Sequence, residues 1–101
     1  MAYTNRGIIY TKLKNYNQAL NDYNKATQLD PNLFEAYYNR GSMYFVLKRY
    51  NEAITDYNKS IQLNPNMAQA YYFRGLCYQA IGDNARAQAD FAKVRQLGYN
   101  G

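Results

Sequence analysis

Apolar and polar residues alternate along this chain with the period of an amphipathic helix. Between residues 35 and 48, Ala36, Tyr37, Gly41, Tyr44 and Leu47 recur at steps that put them on one helical face. The pattern breaks at Lys48-Arg49-Tyr50 and resumes with Ala53, Ile54, Tyr57 and Ile61, again on one face. It stops at Asn64-Pro65-Asn66, where proline removes an amide donor and disfavours helical geometry in the residue before it. Asp30-Pro31-Asn32 makes the same stop earlier, and Gly82-Asp83-Asn84 marks a turn later. The pattern predicts helices over 2–13, 17–29, 34–47, 51–63, 68–81 and 85–96.

These helices come in pairs. Asn5-Arg6-Gly7 recurs as Asn39-Arg40-Gly41 and, with one change, as Phe73-Arg74-Gly75, a step of 34 residues each time. Residues 1–34 match 35–68 at 19 of 34 positions, and 35–68 match 69–101 at 12 of 33. Three copies (1–33, 34–67 and 68–101) therefore fill the 101 residues as one domain.

Each copy carries Tyr-x2-Arg-Gly-x2-Tyr (Tyr3 to Tyr10, Tyr37 to Tyr44, Tyr71 to Tyr78) in its first helix. The second helix carries Ala19-x3-Tyr23, Ala53-x3-Tyr57 or Ala87-x3-Phe91, and Pro31 and Pro65 follow. This unit resembles the tetratricopeptide repeat, a 34-residue helical hairpin with W-x2-L-G-x2-Y, A-x3-F and P at these places. Tyr stands for Trp, Arg for Leu before each glycine, and Tyr99 falls where a third proline is expected. The resemblance implies an all-α, right-handed superhelical solenoid of three helix-turn-helix hairpins. It further implies a non-catalytic adaptor that binds a peptide segment of a partner protein on its concave face.

In such proteins the first helix of each hairpin lines that face. Its positions turned away from the hairpin partner are Thr4, Asn5, Ile8 and Lys12 in the first copy and Glu35, Tyr38, Asn39, Ser42 and Phe45 in the second. In the third they are Gln69, Tyr72, Phe73, Leu76 and Gln79. Asn5, Ile8, Lys12, Tyr38, Asn39, Ser42, Phe45, Tyr72, Phe73 and Leu76 are the candidate peptide-binding residues. Their aromatics, amides and apolar patches suit an extended or helical peptide with apolar side chains, with Asn39 able to hold a backbone amide. Relatives that grip a partner's terminal carboxylate use Lys, Asn and Arg at positions that fall here on Thr4, Ile8, Asn39, Gln69 and Phe73. Only Asn39 agrees, so that clamp is not expected.

Within each hairpin, Gly7, Gly41 and Gly75 are expected opposite Ala19, Ala53 and Ala87, with aromatics such as Tyr37 and Tyr57 filling the wider gaps. Arg6, Arg40 and Arg74 are expected to reach Asp22, Asp56 and Asp90 across the hairpin. Lys25, Lys59 and Lys93 follow those aspartates by three and read as helix-supporting pairs on a solvated face. In the last helix Asn84, Gln88 and Arg95 replace Tyr50, Ile54 and Ile61, the polar outer face of a C-terminal cap, ended by Leu97-Gly98. The first helix has no such capping residues, and apolar area there is expected to favour end-to-end stacking. A self-assembling unit, homo-oligomeric through its ends or groove, is the alternative to an adaptor.

Composition narrows the chemistry. The chain has no His, one Cys and 7 Asp+Glu, so neither a Ser-His-Asp arrangement nor a Cys/His metal cluster can be assembled, and no cofactor or metal is expected. Cys77 aligns with Ile9 and Met43 and reads as a core thiol. A net charge of +5 and 13 tyrosines bring nucleic acid to mind. Ten of those tyrosines, however, sit in repeat-register columns that packing explains. The cations are dispersed apart from a loose patch of Lys12, Lys14, Lys48 and Arg49, so no nucleic acid is expected. Mean hydropathy is −0.69, and no signal or membrane-spanning stretch is visible, so the expectation is a cytoplasmic protein with protein or peptide partners.

Overall fold

The computed structural model describes Gly7 and residues 15–98. The predicted helix over 2–13 otherwise lies outside the described residues, and so do the candidates Asn5, Ile8 and Lys12. Five helices follow: α1 (Tyr16–Leu29), α2 (Phe34–Val46), α3 (Tyr50–Leu63), α4 (Ala68–Ala80) and α5 (Asn84–Gln96). There is no strand among the described residues, and none of their helices is long and apolar enough to cross a membrane.

Two kinds of turn alternate. Between α1 and α2, Asp30 Oδ1 accepts the Asn32 amide at 3.2 Å with Pro31 between them. Asn64 Oδ1 does the same for Asn66, at 3.3 Å, around Pro65. A short side chain that mimics a backbone turn, with proline presetting the next φ, ends one hairpin and starts the next. Within the hairpins, α2 ends with the Arg49 amide donating to the Tyr44 carbonyl at 2.8 Å, and α4 with the Asp83 amide donating to Tyr78 at 2.8 Å. This closure needs a left-handed residue just past the helix. Gly82 supplies it at φ +87°, whereas Lys48 takes the same role at φ +61°. Asp83 also caps α5, its Oδ1 accepting the Arg86 amide, and this is the one side-chain cap among the described helices. Packing rather than capping holds the others.

Consecutive helices pack against each other, and α2 also touches α4, whereas α1 does not touch α3 and α3 does not touch α5. The first helices of successive hairpins thus lie on the inside of a curved stack, and the second helices splay on the outside. One buried cluster joins Ala53, Ile54, Tyr57, Ala70 and Cys77, and another joins Ala19, Tyr23 and Met43. Ser60, fully buried on α3, donates its hydroxyl to the Phe34 carbonyl at 3.0 Å.

The glycines do not face the alanines. A Cβ on Gly75 would stand 2.7 Å from Cε1 of Phe91, and one on Gly41 would stand 3.1 Å from Cε1 of Tyr57 and from Cβ of Asp56. Gly7 meets the Tyr23 ring in the same way. The missing side chain makes room for an aromatic ring one turn beyond the alanine, and Ala53 and Ala87 are buried beside it. Tyr37 is half-buried and lies under cations: the Arg40 guanidinium is 5.6 Å and the Lys59 ammonium 6.0 Å from its ring centre.

Two substitutions test these contacts. Gly-to-Ala inside a helix ordinarily gains about 1 kcal/mol, but Gly41→Ala will lose about 1–3 kcal/mol, because the Tyr57 ring it meets is fully buried and stacked on Phe73 and has no space to retreat. An unchanged or higher denaturant midpoint would contradict the ring-on-glycine contact. Lys48→Gly will gain about 0.5–1 kcal/mol by relieving the left-handed cost of a side chain; a loss would show that Lys48 stabilises the turn in some other way.

Candidate functional site

The inner face is built by α2 and α4. Tyr38, Ser42 and Phe45 are spaced to share a face of α2, and Tyr72, Phe73 and Leu76 lie on the corresponding part of α4. Phe73 is the hub that joins them. Its ring stacks on Tyr57 (centroids 6.4 Å, planes 21° apart) and meets Phe45 edge-on at 5.7 Å, Tyr38 at 6.3 Å and Tyr72 edge-on at 5.4 Å. Tyr38 reaches Tyr57 at 5.9 Å, and Phe45 meets Tyr50 at 5.9 Å. Offset and edge-on rings at these separations attract beyond their buried area.

Of the predicted residues, the structure therefore joins Tyr38, Phe45, Tyr72 and Phe73 in one aromatic cluster. Ser42 is tied in through the Tyr57 hydroxyl at 3.0 Å, and burial pushes that hydroxyl's pKa well above the usual phenol range. Asn39 and Leu76 are half-buried on the same helices. The Asn39 amide makes no hydrogen bond among the described residues, which leaves its donors and acceptor available at the edge of the cluster. Phe73 stands where the second copy has Asn39, so the break in internal symmetry exchanges an amide for the hub of a hydrophobic cluster. Tyr50 and Tyr57, the walls of that cluster, are legible in sequence only as packing columns.

Behind the inner face lies a repeated ionic node. Arg40 donates through Nε to Asp56 Oδ2 at 2.8 Å and through Nη2 to Asp56 Oδ1 at 2.7 Å, the two-pronged geometry that favours arginine over lysine. Its remaining nitrogen, Nη1, crosses to the preceding hairpin and donates to Asn24 Oδ1 at 3.0 Å and Thr27 Oγ1 at 3.2 Å. Arg74 repeats this with Asp90 at 2.9 and 2.6 Å and with Asn58 at 2.8 Å. Arg6 lies outside the described residues, and Asp22, at 3% exposure, is buried like Asp56 and Asp90. The Asp56 hydrogen bonds raise the Arg40 pKa. Burial works against the Arg74 charge, and its bonds to Asp90 more than offset that.

Asp56 and Asp90 therefore belong to Arg40 and Arg74 rather than to Lys59 and Lys93, the lysines three residues on. Lys59 and Lys93 stand instead over the rings of Tyr37 and Tyr71, at 6.0 and 5.9 Å. In the expected basic patch, Lys12 and Lys14 lie outside the described residues, and Arg49 is spent on Glu52 and on the Tyr44 ring. Cys77 is fully buried and burial pushes its thiol up to about 12, so it packs as predicted. No group of three His, Cys, Asp or Glu side chains gathers among the described residues.

Against known proteins, residues 34–67 and 68–94 match models described as tetratricopeptide repeat, and 7–47 matches one described as TPR repeat. Among solved structures, the first TPR of Spaghetti (RPAP3) bound to HSP90 peptide SRMEEVD is 31% identical with a TM-score of 0.93; the match covers 95% of this chain and 76% of that one. The second TPR of Spaghetti, bound to the same peptide, is 26% identical with a TM-score of 0.93, over 95% of this chain and 89% of that one. The Arabidopsis OM64 TPR domain is 26% identical with a TM-score of 0.92, over 95% and 79%. No curated protein matches the chain.

The node makes a direct prediction. Arg74→Leu, which strands Asp90 at 4% exposure, will cost about 2 kcal/mol. That is less than for a fully buried pair, because the guanidinium is 19% exposed. Unchanged or higher stability in urea would remove the pair from the account.

Proposed function

The chain belongs to the tetratricopeptide repeat family, and we propose that it is a non-catalytic scaffold holding a peptide segment of a partner protein against the inner face of its helices. The observation that carries this reading is an unspent, uncharged surface: the free Asn39 amide beside half-exposed rings on the concave side of the stack. The relatives described with a bound HSP90 peptide support peptide binding in general.

The chemistry of the face selects the kind of segment. A terminal carboxylate requires cationic or amide donors. Here Phe73 fills one of the clamp positions with a ring, Gln69 offers another an amide without charge, and the nearby Arg40 and Arg74 are already paired with Asp56 and Asp90. The segment favoured is therefore internal to its protein. It lays apolar side chains against Tyr38, Tyr72 and Leu76 while its backbone bonds to Asn39. Asn5, Ile8 and Lys12 extend this surface in the proposal, as the first copy's equivalents of Asn39, Ser42 and Val46.

Selection of random peptides on the immobilised chain tests this, run beside an Asn39→Ala/Leu76→Glu variant whose unfolding midpoint is checked. These positions are preferable to Phe73, whose removal would empty the cluster. Peptides enriched on the parent alone, rich in apolar residues and indifferent to C-terminal amidation, are expected. Equal enrichment on the variant, or a consensus ending in a required free carboxylate, would overturn the reading.

A further inference from the structure

We infer that the peptide segment held on the inner face carries an arginine, and that Glu35 at the start of α2 is its partner. This rests on the inner-face reading and adds a charge to the segment it describes. Helices α2 and α4, which build that face, contain three charged side chains between them: Glu35, Arg40 and Arg74. Both arginines are committed to buried aspartates, Arg40 to Asp56 and Arg74 to Asp90. Glu35 is exposed and makes no hydrogen bond or ion pair among the described residues. It lies three, four and seven residues before Tyr38, Asn39 and Ser42, on the face they share. The inner face of these two helices therefore presents one uncompensated charge, and it is negative. The fold does not require it. An acid in the first turn complements a helix dipole, yet α4 begins with Gln69 at the equivalent place, and neither α4 nor α1 has an acid in its first turn.

Gln69 completes the seat. The Phe73 ring meets both Tyr38 and Phe45, at 6.3 and 5.7 Å, so it lies between them along α2. Gln69, one turn before Phe73, therefore falls beside the Tyr38 end of α2. Its amide is exposed and makes no hydrogen bond among the described residues. A guanidinium carries five donors in a fixed fork. Two can meet the Glu35 carboxylate in parallel and another the Gln69 carbonyl, with the stem laid along the half-buried Tyr38. Lysine would offer a point charge without the fork, so arginine is favoured. Asn39, one turn on from Glu35, bonds the segment's backbone in the inner-face reading, which brings the arginine close to the bonded peptide unit. The net charge of +5 would by itself favour an acidic segment. Lys59 and Lys93, however, stand over Tyr37 and Tyr71, and Arg49 and Arg86 pair with Glu52 and Asp83. The other described cations, Lys25, Lys48 and Arg95, lie outside α2 and α4.

The test is a selection from random displayed peptides on the full chain and on its Glu35→Gln and Glu35→Lys variants, with unfolding midpoints matched. Peptides enriched on the parent are expected to carry an arginine at one fixed place among their apolar residues. On Glu35→Gln the apolar consensus is expected to survive without the arginine, and on Glu35→Lys an aspartate or glutamate is expected in its place. A synthetic consensus peptide with that arginine replaced by citrulline, its uncharged isostere, is expected to bind the parent about fivefold more weakly by fluorescence anisotropy, the upper range of one exposed ion pair. Both peptides are expected to bind Glu35→Gln equally. An apolar consensus with no fixed arginine, or with an acidic residue, on the parent would overturn this inference and leave the inner-face reading standing. An arginine retained on Glu35→Lys, or a citrulline loss undiminished on Glu35→Gln, would likewise overturn it. Enrichment on none of the three proteins would overturn both.

Discussion

An arginine that bonds in two directions at once is the interaction on which this architecture depends. Arg40 and Arg74 each close their own hairpin through a two-pronged bond to a buried aspartate and reach back to an asparagine on the preceding one. A solenoid has no single core that dictates where its units sit, because each unit meets only its neighbours. A directional bond across every junction therefore sets how one hairpin is placed on the next. The lone pairs of Asp56 and Asp90 could not be left unmet at their depth, and leucine at the arginine position would leave them so.

The aromatic system depends on that placement. Gly41 and Gly75, lacking a side chain, leave room between the two helices of a hairpin for the rings of Tyr57 and Phe91. Once Tyr57 is there, the next hairpin presents Phe73 to it, and the inner face acquires a cluster in place of a row of isolated side chains. Recognition and folding thus use the same residues on different edges. Tyr38 and Tyr72 share rings with the core on one side and are partly open on the other.

Much of this was legible in the sequence, and the failures share a cause. The 34-residue step and the turn residues placed the ends of the described helices within one residue, since proline and left-handed turns are local chemistry. The Arg–Asp pairs were legible because opposite charges recurred at one separation in every copy. Periodicity gives the face of a helix but not the depth at which a partner side chain meets it, so the glycines were matched to the alanines one turn from the rings they accommodate. For the same reason Lys59 is read in sequence as the partner of the aspartate on its own helix, although Asp56 points at Arg40 across its own hairpin. Phe73 stood out as a broken symmetry, and only three-dimensional contact made it a hub.

The most direct test of the central claim is the coupling energy between Arg74 and Asn58, obtained from a double-mutant cycle of Arg74→Gln and Asn58→Ala read by urea unfolding. A bond that places one hairpin on the next predicts a coupling of about 1 kcal/mol or more between residues sixteen apart on different hairpins. Strictly additive losses would contradict it, leaving the junction to apolar packing alone.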